Sequence, residues 1–165
     1  LEFRRVLFRS SPIKYGGTGT SSQDLNQPTT IPDGFESGTL PLINIVSLKS
    51  GIQYVQSHFD RINQKIENLT QILIKDLKKM QNIILYTPEN ELNGVVAFNV
   101  KDYSPERVCD ILNEKYKICV RSGLACAPLV HKFLNTTNGG VIRASIAHYN
   151  NKHQINKLLN ALKTL

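Results

Sequence analysis

From Leu42 to Leu77 apolar side chains return at every third or fourth position: Leu42, Ile45, Val46, Ile52 and Val55, then Phe59, Ile62, Ile66, Leu69, Leu73 and Leu77. That period matches the turn of an α-helix and gathers the apolar groups on one stripe, so residues 42–80 should form two amphipathic helices or one bent helix. Gly51 weakens the run without having to end it, because an isolated glycine costs a helix only about 1 kcal/mol relative to alanine. A stripe of this length needs cover. The chain has 165 residues, 41% of them apolar, enough for the core of one domain.

The elements that follow are short. Ile83 to Tyr86 and Gly94 to Val100 read as strands joined by a turn containing Pro88, Asn90 and Asn93, so they should pair antiparallel. Ser104 is a natural N-cap, with Pro105 at the first helical position and Glu106 in the first turn. A helix with Val108, Ile111 and Leu112 inside should therefore run to about Lys115. Ile118 to Arg121 is expected as a strand, Pro128 to Leu134 as a short helix and Val141 to Ile146 as a strand. Asn151 to Leu165 should be a terminal helix with Ile155, Leu158, Leu159 and Leu162 on one face. This order implies an α+β fold, a small and mainly antiparallel sheet with helices on one face. Residues 11–41 differ, since Pro12, Pro28, Pro32 and Pro41 and many small polar residues break every period. That stretch should be loop, running over a surface or into a partner.

Composition narrows the function classes. No stretch approaches the roughly 18 consecutive apolar residues of a membrane helix, so no membrane partner is expected and the cytoplasm is the simplest location. The net charge of +7 is scattered through lysine-rich helical stretches rather than gathered in an aromatic-interleaved patch, so nucleic acid is not the expected partner either. Part of that charge lies in LEFRRVLFRS, residues 1–10, which resembles a translated sequencing-library adapter and is set aside from fold reasoning as an artefact. The three cysteines, Cys109, Cys119 and Cys126, lack metal-type spacing. Neither a disulfide framework nor a metal site is expected, and at least one thiol should be free.

Cys126 is the thiol with a chemical setting. It lies in VRSGLACAPLVHKF, between a small-residue turn and a proline, with Arg121, His131 and Lys132 close in sequence. A thiolate is the nucleophilic form, and nearby positive charge from Arg121 or Arg143 would help populate it. Cys109, on a helical stripe, and Cys119, in an expected strand, read as core residues without a chemical role. Arg121 either orients the cysteine loop, lines a pocket entrance or forms a structural ion pair. His131 is either a proton shuttle or a surface or packing residue.

The blocks KYGGTGTSS, IPDGFESGT, GVVAFNV, YKICVRSGLACAPLVHK and GGVIRASIAHYNNKHQINKLLNAL, in this order, resemble the C-terminal part of class V aminotransferase-fold enzymes. Within that group the resemblance is to cysteine desulfurases and selenocysteine lyases, and it covers nearly everything from Ser11 onward. It implies the small C-terminal domain of a fold type I enzyme dependent on pyridoxal 5'-phosphate (PLP). Residues 11–41 would be a loop segment from the end of the PLP-binding large domain, residues 42–80 long interdomain helices and residues 81–165 the small domain. An upstream part carrying the cofactor lysine would be missing, so the chain alone should be inactive and should expose apolar surface along residues 42–58.

The resemblance further implies a homodimer that takes sulfur from L-cysteine, releases L-alanine and passes the sulfur to an acceptor protein. It assigns Cys126 as the persulfide-forming residue and Arg143 as the group that binds the substrate carboxylate, where a planar guanidinium fork gives bidentate contact. Arg121 joins Arg143 as a substrate-side candidate. Gly17 and Thr18 fall in a loop that reaches a partner's cofactor phosphate, and FESGT, residues 35–39, at the subunit boundary. The chain departs from the family pattern at Ala125, where many relatives have histidine, and at Leu40 to Ile43. Selenocysteine lyase or another class V enzyme is the alternative within the same fold, and a basic interaction domain is the non-enzymatic one.

Overall fold

The structure, a computed structural model, describes residues 10–17, 19 and 23–165. Thr18 and all of the adapter-like segment except Ser10 lie outside the described residues. Two compact units divide the chain, Leu1–Tyr54 and Val55–Leu165. Before residue 42 the described part of the first unit is loop, apart from one 3-10 turn at Asp33–Phe35.

A single helix, α1 (Leu42–Leu77), replaces the expected choice between two helices and one bent one. It continues through Gly51, where a Cβ would meet nothing within 4 Å. The apolar stripe is used unevenly. Leu69, Leu73, Ile74 and Leu77 are buried, whereas Leu42, Ile43, Ile45, Val46, Leu48, Ile52 and Val55 are exposed, as expected for residues 42–58.

In the second unit three strands, β1 (Ile83–Leu85), β2 (Val95–Val100) and β3 (Ile142–Ser145), form an antiparallel sheet in the order β1-β2-β3. Register explains which face is buried. Phe98 stands opposite Leu85 and Ile142, Val96 opposite Ala144, and Val100 opposite Ile83, so one face is continuous apolar surface. That face shares one core with the C-terminal end of α1 and with helices α2 (Pro105–Tyr116) and α4 (Lys152–Leu162). Each fully buried Phe98, Leu73, Leu77, Leu112, Ile142 or Leu162 contributes about 1.5–3 kcal/mol relative to exposure. The opposite face carries Ile84, Ala97, Asn99 and Arg143 and is at most half-buried.

The helix ends follow the sequence signals. The Ser104 hydroxyl accepts a bond from the Arg107 backbone N–H at 3.2 Å, the expected N-cap of α2. Lys117, in the left-handed conformation, ends that helix, with its N–H bonded to Asn113 and that of Ile118 to Leu112. At α4, Asn151 and Gln154 bond each other's backbone N–H groups in a capping box. Gly94, at φ +88°, is required where β2 meets the end of β3, because a Cβ there would lie 2.7 Å from the Ile146 carbonyl oxygen.

One expected strand is absent. Ile118 and Val120 pack against the core, but residues 118–120 make no ladder with β3, and pairing begins only at Arg121. A cleft of about 240 Å³, bordered by Cys119, Ser145, Asn150 and Gln154, separates the two segments at that point.

The one-faced sheet predicts unequal costs. Phe98→Ala should destabilise the fold by about 3–5 kcal/mol, and Ile84→Ala, on the open face, by only about 0.5 kcal/mol. Denaturant unfolding of both variants checks this, and equal losses would contradict it.

Candidate active site

The site is built where β3 meets the segment leading to Cys126. Arg121 and Arg143 exchange both backbone bonds, Arg121 N–H to the Arg143 oxygen at 3.1 Å and Arg143 N–H to the Arg121 oxygen at 2.7 Å. Directly opposed residues of an antiparallel pair point to the same side, so the two guanidinium groups share the open face of the sheet. Like charges so placed repel, and among the described residues neither arginine pairs with a carboxylate. The Arg143 Nε is buried and lacks a hydrogen-bond partner. A buried, unsatisfied guanidinium nitrogen beside a second cation fits an anionic ligand, which would cancel both costs.

Two further features hold this corner. Gly123 and Val141 exchange backbone bonds at 3.1 and 3.3 Å, and a Cβ on Gly140 would lie 2.2 Å from the Gly123 carbonyl carbon. No residue but glycine fits at position 140. Asn99, near the end of β2, accepts a bond from the Ile142 N–H at 3.2 Å and donates to the Gly140 carbonyl at 3.1 Å. Its amide thereby continues the β2–β3 pairing past the last ladder pair. Asn99 was not among the expected site residues; the only signal for it was a polar side chain inside the strand-like run VVAFNV.

Beyond Gly123 the chain makes a tight turn, closed by the Ala127 N–H on the Leu124 carbonyl at 2.9 Å. Its two central residues, Ala125 at φ 47° and Cys126 at φ 59°, are both left-handed. This is the φ pattern of a type I′ turn, usually filled by asparagine and glycine, and each non-glycine residue there costs about 1–2 kcal/mol. The turn leaves Cys126 exposed, at the start of the short helix α3 (Pro128–Phe133), with its Sγ 3.9 Å from Arg121 Nη2. Arg121 thus faces the thiol, while Arg143 stands beside Arg121 on the sheet.

The remaining candidates separate. His131 is buried at 2% exposure, with Nδ1 2.8 Å from the Thr136 hydroxyl, so it is a packing residue and not a solvent-linked proton shuttle. Cys119 is exposed, contrary to its reading as a core strand residue, because residues 118–120 do not join the sheet. Cys109 is half-buried, and burial pushes its thiol pKa up, opposed by a hydrogen bond with Ser122.

In the first unit Gly17 sits at φ +70° against Gly38, whose N–H bonds the Gly16 carbonyl at 2.9 Å. A Cβ on Gly17 would come within 3.3 Å of the Gly38 Cα. The Gln27 side chain fixes this loop, accepting from the Gly16 N–H at 2.7 Å and donating to the Asp33 carbonyl at 2.9 Å. The glycine loop and FESGT are therefore joined through their backbones, and Gly17 is needed for that close approach.

Residues 2–158 match the family described as aminotransferase class V. The chain belongs to the class V aminotransferase family. Among relatives of this aminotransferase-fold chain is a "Probable cysteine desulfurase" of Staphylococcus aureus (strain Mu50), 30% identical over 97% of the chain and 39% of the relative. Another, from Methanothermobacter thermautotrophicus, is 32% identical over 93% of the chain and 40% of the relative. The chain thus spans about two fifths of the length of these relatives. The solved apo structure of cysteine desulfurase from Thermococcus onnurineus NA1 matches at a TM-score of 0.73 and 31% identity, covering 85% of this chain and 36% of that one. The fold is also shared, at a TM-score of 0.68 and 20% identity, by a C-DES mutant with glycine covalently linked to its PLP cofactor, over 96% of this chain and 39% of that one. These matches establish the α+β body of this class V chain as part of a fold type I PLP-enzyme architecture. Among the described residues no helix is long and apolar enough to cross a membrane.

The three thiols should differ in reactivity. Exposed Cys119 and Cys126 should alkylate first with iodoacetamide. Cys109 should lag, and because burial disfavours its thiolate, its rate should climb only at a pH above that of an ordinary thiol. Peptide mass spectrometry across a pH series checks this, and three coincident profiles would contradict it.

Proposed function

We propose that this chain is the sulfur-accepting part of a PLP-dependent cysteine desulfurase, with Cys126 as the nucleophile. The observation that carries the reading is the exposed Cys126 sulfur 3.9 Å from Arg121, itself paired through the backbone with Arg143. Cys126 attacks the sulfur of L-cysteine. One carbon–sulfur bond breaks and one sulfur–sulfur bond forms; the substrate carbon is reduced and takes up a proton, leaving L-alanine, while Cys126 carries the outer sulfur as a persulfide. Bound PLP supplies the electron sink that makes the carbon–sulfur bond labile.

The other residues bind and orient. Arg143, with its unpartnered buried Nε, takes the substrate's α-carboxylate, and bidentate contact there fixes the direction from which the sulfur meets Cys126. Arg121 keeps its guanidinium 3.9 Å from the thiol sulfur, where it orients the Cys126 side chain. In a homodimer Gly17 and Thr18, the latter outside the described residues, would serve the cofactor phosphate of a partner subunit. The persulfide then passes to a thiol on an acceptor protein, for which the exposure of Cys126 is the supporting feature.

We assign no lysine of this chain to the cofactor link, so the chain alone should be inactive. With PLP and L-cysteine it should form no alanine, and alanine release would refute that statement. In the protein that includes the lysine-bearing part, Arg143→Lys should raise the KM for L-cysteine by about tenfold to a hundredfold, as expected for loss of a bidentate contact worth about 1.5–3 kcal/mol. Cys126→Ser should abolish persulfide formation with PLP still bound. Unchanged desulfuration in the serine variant would remove Cys126 from its role.

A further inference from the structure

The turn holding Cys126 is unfavourable by sequence, with alanine and cysteine where a type I′ turn prefers asparagine and glycine. Such a conformation persists only when its surroundings over-determine it. Residues 123–141 leave the sheet and rejoin it at the Gly123–Val141 pair, and the bonds that cross this excursion restrain the turn.

One residue ties the excursion together. The backbone N–H of His131 reaches the carbonyl of Ala127, the residue after Cys126, at 3.3 Å. Its own carbonyl accepts the Thr136 N–H at 2.9 Å, and its Nδ1 lies 2.8 Å from the Thr136 hydroxyl. Thr136 is buried too, and its carbonyl accepts the N–H of Gly140, the residue packed onto Gly123. The bonds thus run in a closed circuit from Ala127 through His131, Thr136 and Gly140 back to Gly123, with Cys126 at an exposed turn.

We propose that His131 is a positioning residue, its buried bond to Thr136 holding the strained Cys126 turn in the shape that sets the thiol beside Arg121. This rests on the reading of Cys126 as the sulfur-accepting nucleophile. Removing either partner of a buried polar pair leaves the other unsatisfied, and α3 then relaxes away from Ala127. The turn loses its support on the C-terminal side and Cys126 leaves the Arg121 guanidinium. The residue after the thiol would be held from within the protein, without any group of the partner or cofactor.

The test compares alkylation rates of the individual cysteines in the full chain, read by peptide mass spectrometry at neutral pH. Thr136→Val keeps the shape but removes the hydroxyl, and should change the Cys126 rate by about fivefold or more, since a thiol's reactivity follows its surroundings and the released turn no longer holds it beside Arg121. Thr136→Ser keeps the hydroxyl and should restore the Cys126 rate to within about twofold of the parent. Cys119 should hold its rate in both. If Thr136→Val loses its circular dichroism spectrum, His131→Gln is judged by the same criterion. An unchanged Cys126 rate, an equal change at Cys119, or failure of the serine variant to restore reactivity would overturn the proposal. Alkylation requires no turnover, so such a failure would leave sulfur transfer standing, whereas desulfuration by a Cys126→Ser protein would refute sulfur transfer and leave the alkylation result intact.

Discussion

The chemistry of this chain depends on two backbone hydrogen bonds between Arg121 and Arg143. They bring one arginine from the approach to the cysteine loop against another from the middle of β3, and they fix the start of the excursion that carries Cys126. The sheet behind them is ordinary, with one face buried under α1, α2 and α4. That ordinary core allows the open face to hold features that stability alone would not select: two cations side by side that pair with no carboxylate among the described residues, a buried guanidinium nitrogen with no acceptor among them, and two consecutive left-handed residues that are not glycine.

These features share one chemical logic. An anion between or beside the arginines would relieve their repulsion, and the exposed thiol stands next to one of them. On the proposed reading, the α-carboxylate of L-cysteine would supply that anion. The positive charge near the thiol comes from Arg121.

Much of the fold was legible in the sequence because its signals are local. The cap at Ser104, the proline at position 105 and the hairpin strands each rest on neighbouring residues, and each appears as expected. The strand expected at 118–121 failed because ladder formation depends on how the left-handed cap at Lys117 aims the chain, which apolar periodicity does not encode. For the same reason Cys119 was misread as core. At the site, Cys126, Arg121 and Arg143 were nameable through the family resemblance. The roles of Asn99, Gln27 and the His131–Thr136 pair join residues distant in the chain or hidden by burial, and no spacing in the sequence announces them.

The central claim is that sulfur arrives on Cys126 and not on another thiol. It is tested most directly by incubating the PLP-loaded protein that includes the lysine-bearing part with L-cysteine in the absence of reductant, then trapping thiols and mapping the added sulfur by peptide mass spectrometry. The account predicts a mass increase of one sulfur atom on the peptide containing Cys126, with the peptides of Cys109 and Cys119 unchanged. An added sulfur on either of those peptides, with Cys126 unmodified, would contradict it.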